Sequence, residues 1–105
     1  MWFIFPQLRG LGHSSMAYKY GIASRGETEA YLRHPLLGPR LIECTQFVNE
    51  VEGHPIEQIL GYPDNLKFHS SITLFAQVAQ ENEVFASALR KYFGGQLDQL
   101  TLSLL

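Results

Sequence analysis

One stretch constrains the fold of this chain more than any other: residues 63–79, which read PDNLKFHSSITLFAQVA. At about 100° per residue, apolar side chains fill more than half of the helical circumference of this stretch. The apolar arc contains Phe68, Ile72, Leu74, Phe75, Ala76, Val78 and Ala79. The remaining stripe carries His69, Ser70, Thr73, Gln77 and Gln80, with Lys67 and Ser71 at its edges. The sequence therefore predicts a central helix that is surrounded by protein, is N-capped by Asp64 and keeps one narrow polar stripe.

Caps, glycines and prolines divide the rest of the chain into short helices. Ser24 and Glu27 have the spacing of a capping box, and Asp98 can cap a last segment. The predicted helices besides the central one span 15–20, 25–33, 35 or 38 to 52, 56–60, 82–93 and 99–105. In the third of these, one apolar face is predicted from Leu41, Cys44, Phe47, Val48 and Val51. The predicted fold class is all-α: a compact single-domain bundle of about six short helices joined by Gly/Pro turns, over residues 1–105.

Length and composition narrow the class of protein. With 105 residues, 46% of them hydrophobic and 17% charged, the chain is one globular domain rather than a disordered segment. A net charge of −2 argues against a nucleic-acid binder, and no apolar run approaches the roughly 18 residues that would cross a membrane. The single cysteine, Cys44, excludes an internal disulfide and favours a reducing compartment, so we expect a cytoplasmic location.

A glycine-rich loop is the first candidate site. Arg9, Gly10, Gly12 and Ser14 lie in a loop that runs into a predicted short helix. Amide groups at a helix N-terminus, approached closely through glycines and helped by an arginine, suit a phosphate or a carboxylate. The loop lacks the lysine and the spacing of a P-loop. The simpler interpretation, which we favour, is a turn whose glycines serve backbone geometry and whose serine caps the helix.

The polar stripe of the central helix is the second candidate site. Lys67 and Ser70 lie one turn apart, with His69 beside them and Asp64 one turn earlier. A serine close to a lysine or histidine can be an activated nucleophile. The same residues also serve a helix structurally, because serine bonds backbone carbonyls and a lysine neutralises an acidic first turn. We favour the structural interpretation, since the sequence supplies no clear set of catalytic partners.

Metal and thiol chemistry receive no support from residue spacing. The four histidines show no ligand spacing on one helix and have no partner cysteines, so no metal site and no cofactor are predicted. Cys44 falls among apolar neighbours on its predicted helix face, where a thiol behaves as a small hydrophobic group. We therefore expect Cys44 to be buried and slow to react.

Several strings of this sequence resemble one protein family. They are 2–8 (WFIFPQL), 34–41 (HPLLGPRL), 70–75 (SSITLF), 91–95 (KYFGG), the pair Asp64 and Lys67, and Asp98 with Thr101 and Leu102. Together they cover essentially the whole chain and resemble the domain of unknown function 1810 (DUF1810). The resemblance implies a mainly α-helical domain that usually carries a further helix ahead of Trp2, so this chain is expected to be N-terminally truncated. It implies no enzymatic activity, no cofactor and no role for His69.

A protein-binding or chaperone-like helper is the function that we predict. The resemblance implies a protein partner, because the eukaryotic branch of the family is associated with biogenesis of the GTP-binding translation elongation factor 1A. Interface cores favour aromatic residues and arginine, so the expected partner surface includes Phe5, Gln7 and Arg9 together with the glycine loop. The alternative is a small-molecule or phosphate-binding enzyme that uses this loop with Lys67 and Ser70. A deep pocket where the two elements meet would favour the enzyme, and the oligomeric state stays open.

Overall fold

Six α-helices make up most of the chain that the computed structural model describes, which is residues 5–7, 21–79 and 83–105. They are α1 (Arg25–Arg33), α2 (Leu37–Glu50), α3 (Ile56–Leu60), α4 (Asp64–Ala76), α5 (Val84–Phe93) and α6 (Gln99–Leu104). These described ranges contain no β-strand. The all-α prediction is confirmed. The helix predicted over 15–20 lies outside the described residues.

Ser24 caps α1 as predicted, and Glu27 reaches back to the residue before the cap rather than to the cap itself. Ser24 Oγ accepts a hydrogen bond from the amide of Glu27 at 3.2 Å, and Glu27 Oε2 accepts one from the amide of Ala23 at 3.3 Å. Two otherwise unpaired donors at the helix start are thereby satisfied. The next helix begins with a side-chain acceptor too, since His34 Nδ1 accepts from the amides of Leu36 and Leu37 at 3.1 and 3.2 Å. A side-chain acceptor therefore precedes both helices, one residue before α1 and three residues before α2.

Gly38 allows α1 and α2 to approach each other closely. A Cβ atom at this position would lie 1.9 Å from the carbonyl oxygen of Leu32, a backbone atom that cannot rotate away. The other glycine signals act through backbone conformation. Gly61 has φ 80° where α3 ends, and Gly94 is left-handed, with φ 63°, where α5 ends. Both terminations follow the prediction, because glycine adopts positive φ without a Cβ clash.

The start of α4 differs from the prediction in one respect. Asp64 does not cap this helix: it is the first helical residue, and no side chain caps this helix end. Backbone carbonyls take that part instead. Gly61 O accepts from the amide of Asn65 at 2.9 Å, and Pro63 O accepts from the amide of Leu66 at 3.0 Å. The turn before α4 thus satisfies the first amides without a carboxylate.

The centre of the fold is α4, which packs against α1, α3, α5 and α6. Phe68, Ile72, Leu74 and Phe75 are completely buried. The ring of Phe75 lies 5.7 Å from that of Phe85 on α5 and 5.5 Å from that of Tyr31 on α1, measured between centroids. The predicted buried central helix is confirmed. Part of its polar stripe is buried as well, because Ser70, Ser71 and Thr73 are shielded from solvent, whereas His69 and Gln77 are half-buried.

The buried face of α2 is rotated from the predicted one. Leu41, Thr45 and Val48 form the buried row, at spacings of four and three residues. The Thr45 hydroxyl donates to Leu41 O at 2.8 Å, so its burial leaves no unpaired polar group. Phe47 lies on the outer side and is 59% exposed, contrary to the prediction. Cys44 is only half-buried, so the expectation of a fully buried thiol is also wrong.

Candidate functional site

The polar stripe of α4 faces the C-terminal segment of the chain. Ser70 Oγ lies 3.0 Å from Asp98 Oδ2 and 3.2 Å from Leu66 O, and its hydroxyl donates to these acceptors. The amide of Asp98 donates to Thr73 Oγ1 at 3.0 Å. Two positions of the stripe, one turn apart, therefore hold both the carboxylate and the main chain of the same residue.

Asp98 is the centre of this polar cluster. Its Oδ2 atom also accepts from the amide of Thr101 at 3.2 Å and from the Thr101 hydroxyl at 2.6 Å. The first of these bonds is the N-cap of α6, as the sequence predicted. Thr101 is completely buried. One carboxylate thus starts α6 and joins it to α4.

His69 contacts the same segment two residues before Asp98, at Gln96. Its ring stacks on Phe93 with the centroids 3.9 Å apart and the planes at 8°. Nε2 lies 2.8 Å from the carbonyl oxygen of Gln96, which fixes Nε2 as the donor because a carbonyl can only accept. His69 is therefore directed at Gln96, and this arrangement does not present its Nε2 to Ser70 as a base.

The chemistry open to Ser70 follows from these contacts. Ser70 is 8% exposed, and its hydroxyl contacts the segment that carries Asp98. A nucleophilic serine needs both a base that takes its proton and an open path for the substrate carbonyl. In this structure the covering segment closes that path. The structural interpretation of the stripe therefore agrees with the geometry better than the nucleophile interpretation.

A second polar region joins α2 to α5. Asn49 Nδ2 donates to Val84 O at 3.1 Å, and the Tyr92 hydroxyl donates to the carbonyl of Val48. Lys91 Nζ lies 3.2 Å from Glu52 Oε1 and also donates to the carbonyl of Asn49. Side-chain donors on α5 thereby bond carbonyls in the last turn of α2.

An open cleft of about 540 Å³ lies beside this junction. It is lined by Gln46, Asn49, Glu50, Glu83, Val84 and Ser87. The two carboxylates make it an acidic surface, and Asn49 Oδ1 behind it is buried without a hydrogen-bond partner. Sequence spacing does not mark this cleft, because its walls come from two helices that lie far apart in the chain.

Three leucines on the two helices that Asp98 joins are exposed, and together they are here called the leucine surface: Leu66, Leu100 and Leu104. Their exposed fractions are 51%, 66% and 50%. Leu66 lies four and seven residues before Ser70 and Thr73, on the side of α4 that meets α6. Leu100 and Leu104 lie one turn apart on α6. The leucine surface thus spans the two helices that Asp98 joins.

The other predicted site residues fall in three places. Phe5 is 5% exposed, with its ring 4.9 Å from that of Phe68, and Gln7 is 7% exposed. Phe5 packs in the core because its ring fits edge-on against the central helix, so it does not line an open partner surface. Lys67 is half-buried on α4. The remaining four, Arg9, Gly10, Gly12 and Ser14, lie outside the described residues, and their role stays a prediction.

Electrostatics single out Tyr31 in the described chain. Burial raises the pKa of the Tyr31 hydroxyl above its ordinary value of 10.0, the nearby Arg40 guanidinium lowers it, and the Cys44 thiol raises it. No group of three or more His, Cys, Asp or Glu side chains that could hold a metal occurs among the described residues. The described helices also include none that is long and apolar enough to cross a membrane.

Both the sequence and the fold have relatives among known proteins. A family model described as "Protein of unknown function (DUF1810)" matches residues 1–105. Among solved structures, the conserved hypothetical protein Rv1873 from Mycobacterium tuberculosis is similar, at 57% sequence identity and a TM-score of 0.96. That similarity covers 99% of this chain and 74% of the mycobacterial chain. Comparison with functionally curated proteins gave no match.

Proposed function

The chain belongs to the DUF1810 family of proteins of unknown function, and we propose that it is a protein-binding module, a cytoplasmic helper that binds a partner protein. The leucine surface is the proposed contact. A cytoplasmic location is supported by the single cysteine, because a reducing compartment needs no disulfide.

The observation that carries this proposal is the exposure of Leu66, Leu100 and Leu104. Each of these leucines leaves half or more of its surface in water, whereas Leu41, Leu74 and Leu89 are buried in the core. Neighbouring exposed apolar side chains are typical of protein interaction sites. The polar bonds at Asp98 lie directly beneath α6, and they hold the leucines of this short helix on a defined support.

The competing enzyme hypothesis needs both the glycine loop and a reactive Ser70, and the structure does not favour a reactive Ser70. Ser70 is enclosed by its bonds to Asp98 and Leu66, so the stripe offers no accessible nucleophile. The glycine loop, its other part, lies outside the described residues. A binding role needs neither part, which is why the geometry supports it better.

The family resemblance supplies the first partner to test, a GTP-binding translation elongation factor of the 1A type. We propose the purified factor, both nucleotide-free and with GDP bound, as the probe in titrations with this protein. The double variant Leu100→Ser with Leu104→Ser should weaken the complex by about tenfold or more, because buried apolar anchors dominate interface energies.

Phe47→Ser is the matched control for that experiment. Phe47 is 59% exposed on the outer side of α2, so its replacement by serine removes a similar apolar surface on a different helix. The control variant should bind as the unaltered chain does. Equal losses in both variants, or no loss in the leucine variant, would contradict the proposed surface. A complex that never forms with this factor would remove it as the partner.

A further inference from the structure

We propose that residues 96–104, here called the strap, are a detachable segment that occupies a docking site on α4 for a peptide that carries an aspartate. The strap would be the built-in ligand of that site, and a peptide of the same chemistry from another protein would compete with it. The docking site is the surface of α4 beneath the strap, whereas the proposed partner contact uses the exposed leucines of the strap. Either proposal can therefore fail alone.

The first observation is how little apolar surface attaches the strap. α4 is the helix on which α6 packs. Thr101 is the completely buried residue of the strap, and Leu97 and Leu102 are half-buried. Segments with few buried apolar contacts open locally at a lower free energy than the whole fold. The strap can therefore leave α4 while Phe68 and Phe75 stay packed.

The second observation is a pair of glycines between the core and the strap. Gly94 and Gly95 have φ values of 63° and 80°, and no atom lies within 4 Å of a Cβ built on either one. Both glycines are exposed and follow directly after α5. Glycine reaches many backbone conformations that other residues cannot, so this pair can act as a hinge without moving α5.

The third observation identifies the ligand chemistry. Two of the contacts from α4 are to main-chain groups: His69 Nε2 donates to the carbonyl of Gln96, and Thr73 Oγ1 accepts from the amide of Asp98. Any extended peptide offers such groups at this spacing. Ser70 adds one side-chain contact, to the Asp98 carboxylate. Leu97, between them, packs against the core.

These contacts define the occupant as a segment in which an apolar residue is followed by an aspartate, extended up to the aspartate and helical after it, as in the strap. A threonine three residues after the aspartate would complete the cap, as Thr101 does in the strap. Recognition of main-chain groups with one or two side-chain determinants is how proteins commonly take up peptides. The site on α4 has the same division between main-chain and side-chain contacts.

A labelled peptide with the sequence of residues 94–105 tests this proposal. It is titrated into the full chain and into the full-length Asp98→Ala variant, whose own strap has lost the carboxylate. Because a site that is filled in cis is available only in the open fraction, the peptide should bind the variant about tenfold or more tightly than the unaltered chain. A peptide with alanine at the aspartate position should lose about tenfold in affinity for the variant.

Ser103→Ala is the matched control, since the Ser103 hydroxyl bonds Leu100 O within the strap. This variant should bind the peptide as the unaltered chain does. Equal affinity of the unaltered and Asp98→Ala chains would overturn the proposal. So would a peptide that binds equally well without its carboxylate.

Hydrogen exchange of the unaltered chain decides the case if Asp98→Ala does not fold. The amide of Leu102, which donates to Asp98 O, should exchange about tenfold or more faster than amides in the middle of α5, such as that of Leu89. If the Leu102 and Leu89 amides exchanged with the same opening free energy, the strap would not detach separately and the proposal would be wrong.

Discussion

Both sides of α4 contain completely buried residues, but different interactions bury them. On the side facing α5 and α1, Phe75 is completely buried and meets aromatic rings at 5.7 and 5.5 Å. On the side facing α6, Thr73 is also completely buried, and its contact is a hydrogen bond from the amide of Asp98. Burial alone therefore does not show which side holds the molecule together.

The two sides should contribute different amounts to the free energy of unfolding. A buried aromatic side chain removes about 150–250 Å² from water, at about 25 cal/mol per Å². A hydrogen bond adds only about 0.5–1.5 kcal/mol net, because the same groups bond water when the chain is unfolded. We expect the aromatic side to be lost only in global unfolding and the polar side to open by itself.

The largest effect is expected from Phe75→Ala. Removing this ring leaves a cavity between α4, α5 and α1, which should lower the free energy of unfolding by about 3–5 kcal/mol. Urea denaturation followed by circular dichroism measures this change. A loss below about 1.5 kcal/mol would mean that the aromatic side does not dominate the stability.

A smaller and local effect is expected from Asp98→Ala. The carboxylate accepts bonds from Ser70 and Thr101, and bonds to a charged acceptor contribute about 1.5–3 kcal/mol. The opening free energy of the strap should fall by about that amount in hydrogen exchange, while the exchange of α5 amides changes little. A matching loss of protection in α5 would show that the two sides of α4 unfold together.

A further step down is expected for Ser70→Ala. This variant removes one donor to Asp98 and should lower the opening free energy of the strap by about 1 kcal/mol. Ser103→Ala, the matched control, removes a hydroxyl that contacts Leu100 O and should change it by less than about 0.5 kcal/mol. The same exchange measurement compares them. A larger effect of the control would place the attachment of the strap elsewhere.

The smallest effect is expected from the titration of Tyr31, whose ring packs against Phe75 on the aromatic side of α4. Burial raises the pKa of its hydroxyl, so the folded chain keeps the proton when the unfolded chain has begun to lose it. The free energy of unfolding should therefore fall as the pH rises above about 10. Denaturation at several alkaline pH values should show a shallower fall in Tyr31→Phe. Asp98→Ala should keep the full slope, since its change lies on the other side of α4.

Local signals explain why much of the fold could be predicted from the sequence. The capping box at Ser24, the glycine at Gly94 and the cap at Asp98 act within three residues of where they stand. Each of them set a helix end correctly. The all-α class follows from such ends together with the apolar arc of α4.

Long-range pairing explains what could not be predicted. The bond between Ser70 and Asp98 joins residues 28 apart in the chain, and no spacing marks such a pair. Asp98 was recognised as a cap, but its contact with the central helix was not. The apolar side chain of Phe47 predicts burial, but Thr45 is the buried residue. Its hydroxyl donates to Leu41 O, which removes the cost of burying it.

A double-mutant cycle between Ser70 and Asp98 tests most directly whether the polar side of α4 is a dock for the C-terminal segment. The opening free energy of the strap is measured by hydrogen exchange in Ser70→Ala, Asp98→Ala and the double variant. Contact between the two side chains predicts a coupling of about 0.5–3 kcal/mol. The same cycle with Ser103→Ala in place of Ser70→Ala should give a coupling near zero. Additive losses for Ser70 and Asp98 would contradict the account.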